Sequence, residues 1–318
     1  EWIAELKHEI ELYKPNIVIA LGATALWALT GEKKISDFRG YILPCTLVKG
    51  VKVLATYHPQ AVNYEWKLYF QTVLDLRKAL RHSESPKMPE SKQVFLPNVN
   101  ARQFIEYMEM LIEHPEYDKL SVDVETVQPG SHIEELGLSH DPNFGMSIFI
   151  LKGRAPALPE LDELRLWQTF ARLVSCKKII MQNGAYDTGV LWHNNHILID
   201  NIWVDTLIAA HICWPELPRD LGFLGSVCLD VKPWKGSSKT QEYNPADAAN
   251  TFGIAKVLVE EIFRQGSIEQ FQFEMNLIPV SLFLQLQGIK VDKEKQKELI
   301  EKWSKIRDDL KVKKKKKI

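Results

Sequence analysis

At 318 residues the chain has room for two domains, or for one and parts of others, and 45% hydrophobic with 25% charged residues is ordinary globular composition. A net charge of −1 excludes a global attraction to nucleic acid, so any such contact must come from local basic patches. Four scattered cysteines (Cys45, Cys176, Cys213, Cys228) with no Cys-x-x-Cys pair, no signal peptide and no apolar run long enough to span a bilayer predict a reduced intracellular protein without a membrane partner.

The first region, residues 1–81, alternates helix and strand. Glu1 to Tyr13 has helical spacing and ends at Pro15-Asn16; Ile17 to Leu21 is a continuous apolar strand, turned by Gly22 into a short helix over Ala23 to Thr30. Val51 to Thr56 reads as a second strand and Tyr64 to Leu80 as one long amphipathic helix, a pattern that predicts parallel strands. Residues 82–93 carry the prolines, serines and charges of a linker. The second region, 94–267, opens with a strand at Val94-Phe95-Leu96 and a helix capped near Asn100. Strands follow at Leu120 to Thr126, Leu136 to Ser139, Met146 to Leu151 and Lys178 to Gln182, with His140-Asp-Pro-Asn143 as a turn. The third region, 268–318, is helical throughout and ends in the run Lys313 to Lys317, which reads as a solvated end or a DNA-tracking tail. The chain starts without an initiator Met, and a piece of a longer protein is the expectation.

The chemistry starts at Leu120-Ser-Val-Asp-Val-Glu-Thr126. Alternation along a strand puts Asp123 and Glu125 on one face and Val122 and Val124 on the other. Two neighbouring carboxylates repel and resist burial unless cations neutralise them, and Mg²⁺ or Mn²⁺ prefers such hard oxygens. Further on, Asn183 and Asp187 stand four apart after the strand at Lys178, and their spacing predicts a shared helix face. Tyr243 and Asp247 are again four apart, with Pro245 in the first turn of another helix.

Asp-x-Glu, Asn-x-x-x-Asp and Tyr-x-x-x-Asp in this order resemble the three motifs of the DEDDy exonucleases, and Leu120 to Leu258 resembles the 3′–5′ proofreading exonuclease domain of family A DNA polymerases. Asp205-Thr-Leu-Ile-Ala-Ala-His211 and Pro215-Glu-Leu-Pro-Arg-Asp-Leu221 look like that family's connecting helices. The resemblance implies an RNase H-like (DnaQ-like) α/β fold with a mixed sheet, two divalent ions (Mg²⁺ or Mn²⁺) and a DNA 3′ end as substrate. It implies that Asp123 bridges both ions, Glu125 and Asp247 complete the nucleophile-side site, Asp187 supports the second ion, Asn183 contacts substrate and Tyr243 orients the attacking water. Phenols titrate far above neutrality, which favours positioning over general-base catalysis for that last residue.

The flanks carry two further resemblances. Lys14-Pro-Asn-Ile-Val-Ile-Ala-Leu-Gly-Ala-Thr-Ala-Leu26, Arg39-Gly40 and Thr56-Tyr-His-Pro-Gln-Ala61 resemble the C-terminal part of the uracil-DNA glycosylase superfamily, which makes His58 a candidate contact to a base. Gln60 stands where that family has a small serine. The family's water-activating motif and iron–sulfur cysteines do not occur in the sequence, so neither glycosylase activity nor a cluster is expected of it. Glu274 to Asp292, with the turn Gly288-Ile-Lys-Val-Asp292, looks like the entry helices of a family A polymerase domain; the palm carboxylates are not in this sequence. The combined expectation is a metal-dependent 3′–5′ DNA exonuclease in a bacterial or phage-infected cytoplasm, partnered by a polymerase domain. A silent DNA-binding or scaffolding module and an RNA-trimming DEDDy enzyme are the alternatives.

Overall fold

The computed structural model describes residues 1–127, 132–235 and 241–315, with side chains to Lys311. Two compact units divide it, 1–278 and 279–318. The first unit opens with α1 (Trp2–Tyr13), β1 (Ile17–Leu21), α2 (Ala23–Thr30), α3 (Ile35–Phe38), β2 (Ile42–Pro44), β3 (Lys52–Thr56), α4 (Pro59–Tyr64) and α5 (Leu68–Ser83). Three strands form a sheet in the order β1-β3-β2, with β1 parallel and β2 antiparallel to the fully buried β3. The parallel expectation therefore holds for β1 and β3, and β2, a three-residue strand too short to show a period, adds an antiparallel neighbour that the sequence did not indicate. The helix expected over Tyr64 to Leu80 is α5, which starts at Leu68, and the short α4 precedes it. His58 caps α4 through Nδ1, which accepts from the Gln60 amide at 3.1 Å, and Pro59 occupies the first turn, so the chain turns helical earlier and breaks at 65–67.

A larger sheet follows. Its elements are β4 (Val94–Leu96), α6 (Ala101–Glu113), β5 (Lys119–Val127), β6 (His132–Asp141), β7 (Phe144–Phe149), β8 (Leu151–Lys152), β9 (Ala155–Pro156), α7 (Glu160–Cys176), β10 (Lys178–Met181), α8 (Gly184–Asn195), β11 (Ile202–Asp205), α9 (Thr206–Cys213), α10 (Leu221–Cys228) and α11 (Tyr243–Gln265). The order is β11-β10-β5-β6-β7-β4: β5, β6 and β7 run antiparallel as a meander, while β10 and β11 extend β5 in parallel and β4 pairs in parallel with β7. The architecture is mixed α/β, as the sequence indicates. Asn100 and Gln103 form a capping box that starts α6, satisfying two amides that the helix itself leaves unpaired.

Alternation along β5 sorts the two faces. Val122 and Val124 join Phe104, Met108, Leu166 and Phe170 in the core beneath α6 and α7. The opposite face carries Asp123 and Glu125 and is covered by α11. Two glycines allow that helix to press onto the sheet: a Cβ on Gly137 would overlap the Asn244 side chain, and one on Gly145 would overlap the Pro245 carbonyl. Gly137 pairs with Asp123 across the ladder, so the close approach falls beside the first carboxylate.

α12 (Ile268–Gln287) contains Pro279, where the compact units divide. In the second unit Gly288 takes a left-handed φ of 67° and Asp292 accepts the amides of Glu294 and Lys295 to start α13 (Lys293–Lys315). The side chains of the run Lys313 to Lys317 lie outside the described residues. Among the described residues no helix is long and apolar enough to cross a membrane.

Candidate active site

Three carboxylates from two distant elements meet on the α11 side of the sheet. Asp123 and Glu125 come from β5 and Asp247 from the second turn of α11, and each offers a ligand oxygen within 4.8 Å of the others. A bulge in the β5–β6 pairing directly after Glu125 turns the strand where its last carboxylate must be aimed. Asp187, in the first turn of α8, is buried beside this group and interacts electrostatically with Asp123 and Glu125. Burial, reinforced by Asp247, Asp187 and Glu125, pushes the Asp123 carboxyl well above the usual carboxylate range, with Lys235 opposing. Burial, then Asp205 and Glu125, does the same to Asp187.

Hydrogen bonds hold Asp123 and Asp247 in place. Asn244 Nδ2 donates to Asp123 Oδ2 at 2.8 Å. Trp234 Nε1 donates to Asp247 Oδ1 at 2.6 Å, and Lys235 Nζ donates to Asp247 Oδ2. Burial raises the Asp247 pKa while Lys235 and Trp234 work against it; burial lowers that of Lys235, but Asp247 carries the net direction upward. Lys235 also donates to the Tyr243 hydroxyl at 2.7 Å and lies over its ring, 4.1 Å from the centroid.

Asn183 departs from the expected geometry. It sits before α8 in a left-handed conformation (φ 59°, ψ 45°), so it does not share a helix face with Asp187. The cause is Asp205, a buried carboxylate that accepts the amides of Asn183 at 3.1 Å and Gly184 at 2.8 Å while capping α9 through Leu207 at 2.9 Å. His58 is exposed at the start of α4, packed against Gly22, and the structure does not bring it to the carboxylates. Asn244, Trp234, Lys235 and Asp205 escape sequence reasoning. Only the position of Asn244, between Tyr243 and Asp247, offers a signal.

The donor set suits a hard divalent cation. Carboxylate oxygens this close repel one another, and a bound cation would convert that repulsion into attraction. Each bonded oxygen keeps a second lone pair for coordination.

The sequence model of the uracil DNA glycosylase superfamily matches residues 1–81. No curated protein matches the chain. Among solved structures it is similar to NrnC of Brucella melitensis with bound Mg²⁺, at 20% identity, covering 63% of this chain and 95% of that one, with a TM-score of 0.44. It is similar to RNase D of Escherichia coli, an exoribonuclease involved in structured RNA processing, at 15% identity, covering 62% and 51%, with a TM-score of 0.44. The POL domain of Pol1 from M. smegmatis, in complex with DNA primer-template and dNTP, is 15% identical over 66% of this chain and 35% of its own, with a TM-score of 0.50. The chain thus spans about a third of that polymerase. The fold class is mixed α/β built on a mixed six-stranded sheet, and residues 1–81 before it are similar to the uracil DNA glycosylase superfamily.

Proposed function

We propose that the chain is a two-metal-ion 3′–5′ exonuclease that removes nucleotides from single-stranded or frayed DNA ends, the proofreading module of a family A DNA polymerase. The convergence of Asp123, Glu125 and Asp247 within 4.8 Å, with Asp187 beside them, carries this reading. The polymerase context rests on the resemblance of Glu274 to Asp292 to polymerase entry helices. In this division residues 94–267 are the nuclease, 1–81 a glycosylase-like remnant, 82–93 the linker and 268–318 the start of the polymerase region.

Asp123, Glu125 and Asp247 would hold the nucleophile-side ion, and Asp187 with Asp123 the second. Bound there, divalent ions supply hydroxide at neutral pH and neutralise charge on the leaving 3′ oxygen. The chain's own residues do the positioning. Asn244 fixes the plane of Asp123, and Trp234 and Lys235 fix that of Asp247. Tyr243, held through its hydroxyl by Lys235, stands one helical turn before Asp247 to orient the attacking water. Asn183 lies at the entrance to α8 as a contact for the substrate strand.

The test is the full chain with 5′-labelled single-stranded DNA and Mg²⁺ or Mn²⁺, with matched RNA alongside. Stepwise shortening from the 3′ end is expected, abolished by EDTA. Asp123→Ala should reduce it by several orders of magnitude with an unchanged circular dichroism spectrum. Tyr243→Phe should slow the single-turnover step by about 10²–10⁴-fold at most while Mn²⁺ still binds. Metal-independent shortening, or none from any end, would overturn the reading; faster shortening of RNA would move it to an RNA-trimming enzyme.

A further inference from the structure

Residues 231–235, which follow α10, belong to two cores at once. Trp234 packs against the cluster built from α9, α10 and α11, and also against the core of the N-terminal three-stranded sheet; Val231 joins the latter. Tyr41 of the N-terminal segment meets the Trp234 ring edge-on, with centroids 6.5 Å apart at 89°, and its hydroxyl donates to the Gly222 carbonyl at 2.8 Å. The indole lies directly on Gly225, where any Cβ would overlap it, and a Cβ on Gly222 would meet the Lys235 stem at 3.3 Å. The bare face of α10 is a seat for these two residues.

From that seat Trp234 and Lys235 reach the two oxygens of Asp247, and Lys235 reaches Tyr243. A carboxylate plane rotates in a broad, shallow well, so a ligand carboxylate needs outside partners to hold it. Here both partners come from adjacent residues of one strap.

We propose that the strap 231–235 makes the glycosylase-like segment a working part of the nuclease site, with Tyr41 holding Trp234, and Trp234 and Lys235 positioning Asp247 and Tyr243. The inference rests on the exonuclease reading and gives a task to a segment from which no glycosylase activity is expected. Loss of such outer partners costs about 10–100-fold in metal affinity or rate.

The experiment uses the full chain with Trp234→Phe, which deletes the indole N–H but keeps a ring, and Tyr41→Leu, which removes the edge contact from the other segment. Mn²⁺ affinity by water-proton relaxation, single-turnover rate, KM for single-stranded DNA and Tm are measured for each. Both variants should lose about 10-fold or more in Mn²⁺ affinity and rate, with KM and Tm near wild type. Tyr41→Phe should recover most of the loss. Should Trp234→Phe lower Tm, Lys235→Gln reads the same carboxylate without touching the packed ring. Wild-type affinity and rate in Tyr41→Leu and Trp234→Phe, with an active parent, would overturn this inference alone. A parent that neither binds Mn²⁺ nor cleaves would overturn the nuclease reading and this one with it.

Discussion

At the scale of single residues, what is missing matters as much as what is present. Gly137 faces Asp123 across the ladder, and its lack of a side chain is the space Asn244 uses to reach Asp123. Gly137→Ala should cost about 1–3 kcal/mol by overpacking, read from urea unfolding, and should weaken Mn²⁺ binding by displacing Asn244. Asn244→Ala leaves room and removes only the donor, so it should weaken Mn²⁺ binding with a smaller loss of stability. Equal Mn²⁺ affinity in both variants and the parent would show that Asn244 does not govern the carboxylate. The carboxylates themselves were legible because charge on an apolar strand and repeated four-residue spacings are local signals. Trp234 and Lys235 were not, because a Pro-Trp-Lys-Gly stretch looks like any loop until the fold brings it to Asp247.

Elements were legible where periodicity ran long. β5, α6 and α11 announce themselves by alternation, a capping box and a helical opening at Tyr243. α5 was legible apart from its start, but α4 before it was hidden, because six residues begun by His58 and Pro59 are too few to show a helical period. The joint between α6 and β6 carries a pH dependence. His140 is packed among Tyr107, Tyr117 and Phe144, its Nδ1 2.7 Å from the Tyr107 hydroxyl, and burial lowers its pKa, with Asp141 opposing. A histidine with a native pKa below its unfolded value near about 6.5 binds fewer protons folded than unfolded between the two. Its contribution is full above the unfolded value and is lost as pH falls through it toward the native one. Unfolding free energy should therefore fall from about pH 7 downward through that window, and His140→Phe should flatten the slope. An unchanged slope in the variant would remove His140 as the cause.

On the scale of the first compact unit, the N-terminal segment and α10 beside the six-stranded sheet share buried polar contacts. Arg39 is bidentate to Asp75, donates to Ser226 Oγ at 2.8 Å and lies over the Phe223 ring; Lys78 donates to the carbonyls of Ser226 and Leu229 at 2.9 and 2.6 Å. Arg39 and Asp75 are 3% and 1% exposed, so Arg39→Ala strands a buried carboxylate and should cost about 3–5 kcal/mol. Arg39→Met with Asp75→Leu should recover much of that, because the pair's net contribution is small against its desolvation. Calorimetry should show residues 1–278 melting in one transition. Two separable transitions, with Arg39→Ala affecting only the first, would show that the sheets are stabilised independently.

Asp205 has a consequence in time rather than in energy. Amides in the first turn of a helix ordinarily lack an internal partner and exchange with solvent quickly. At Asn183, Gly184 and Leu207 one buried carboxylate binds all three. These amides should exchange as slowly as those inside the helices, and Asp205→Ala should release the three together. The helix that carries Asp187 and the one after it would then breathe as a pair, opening on one clock.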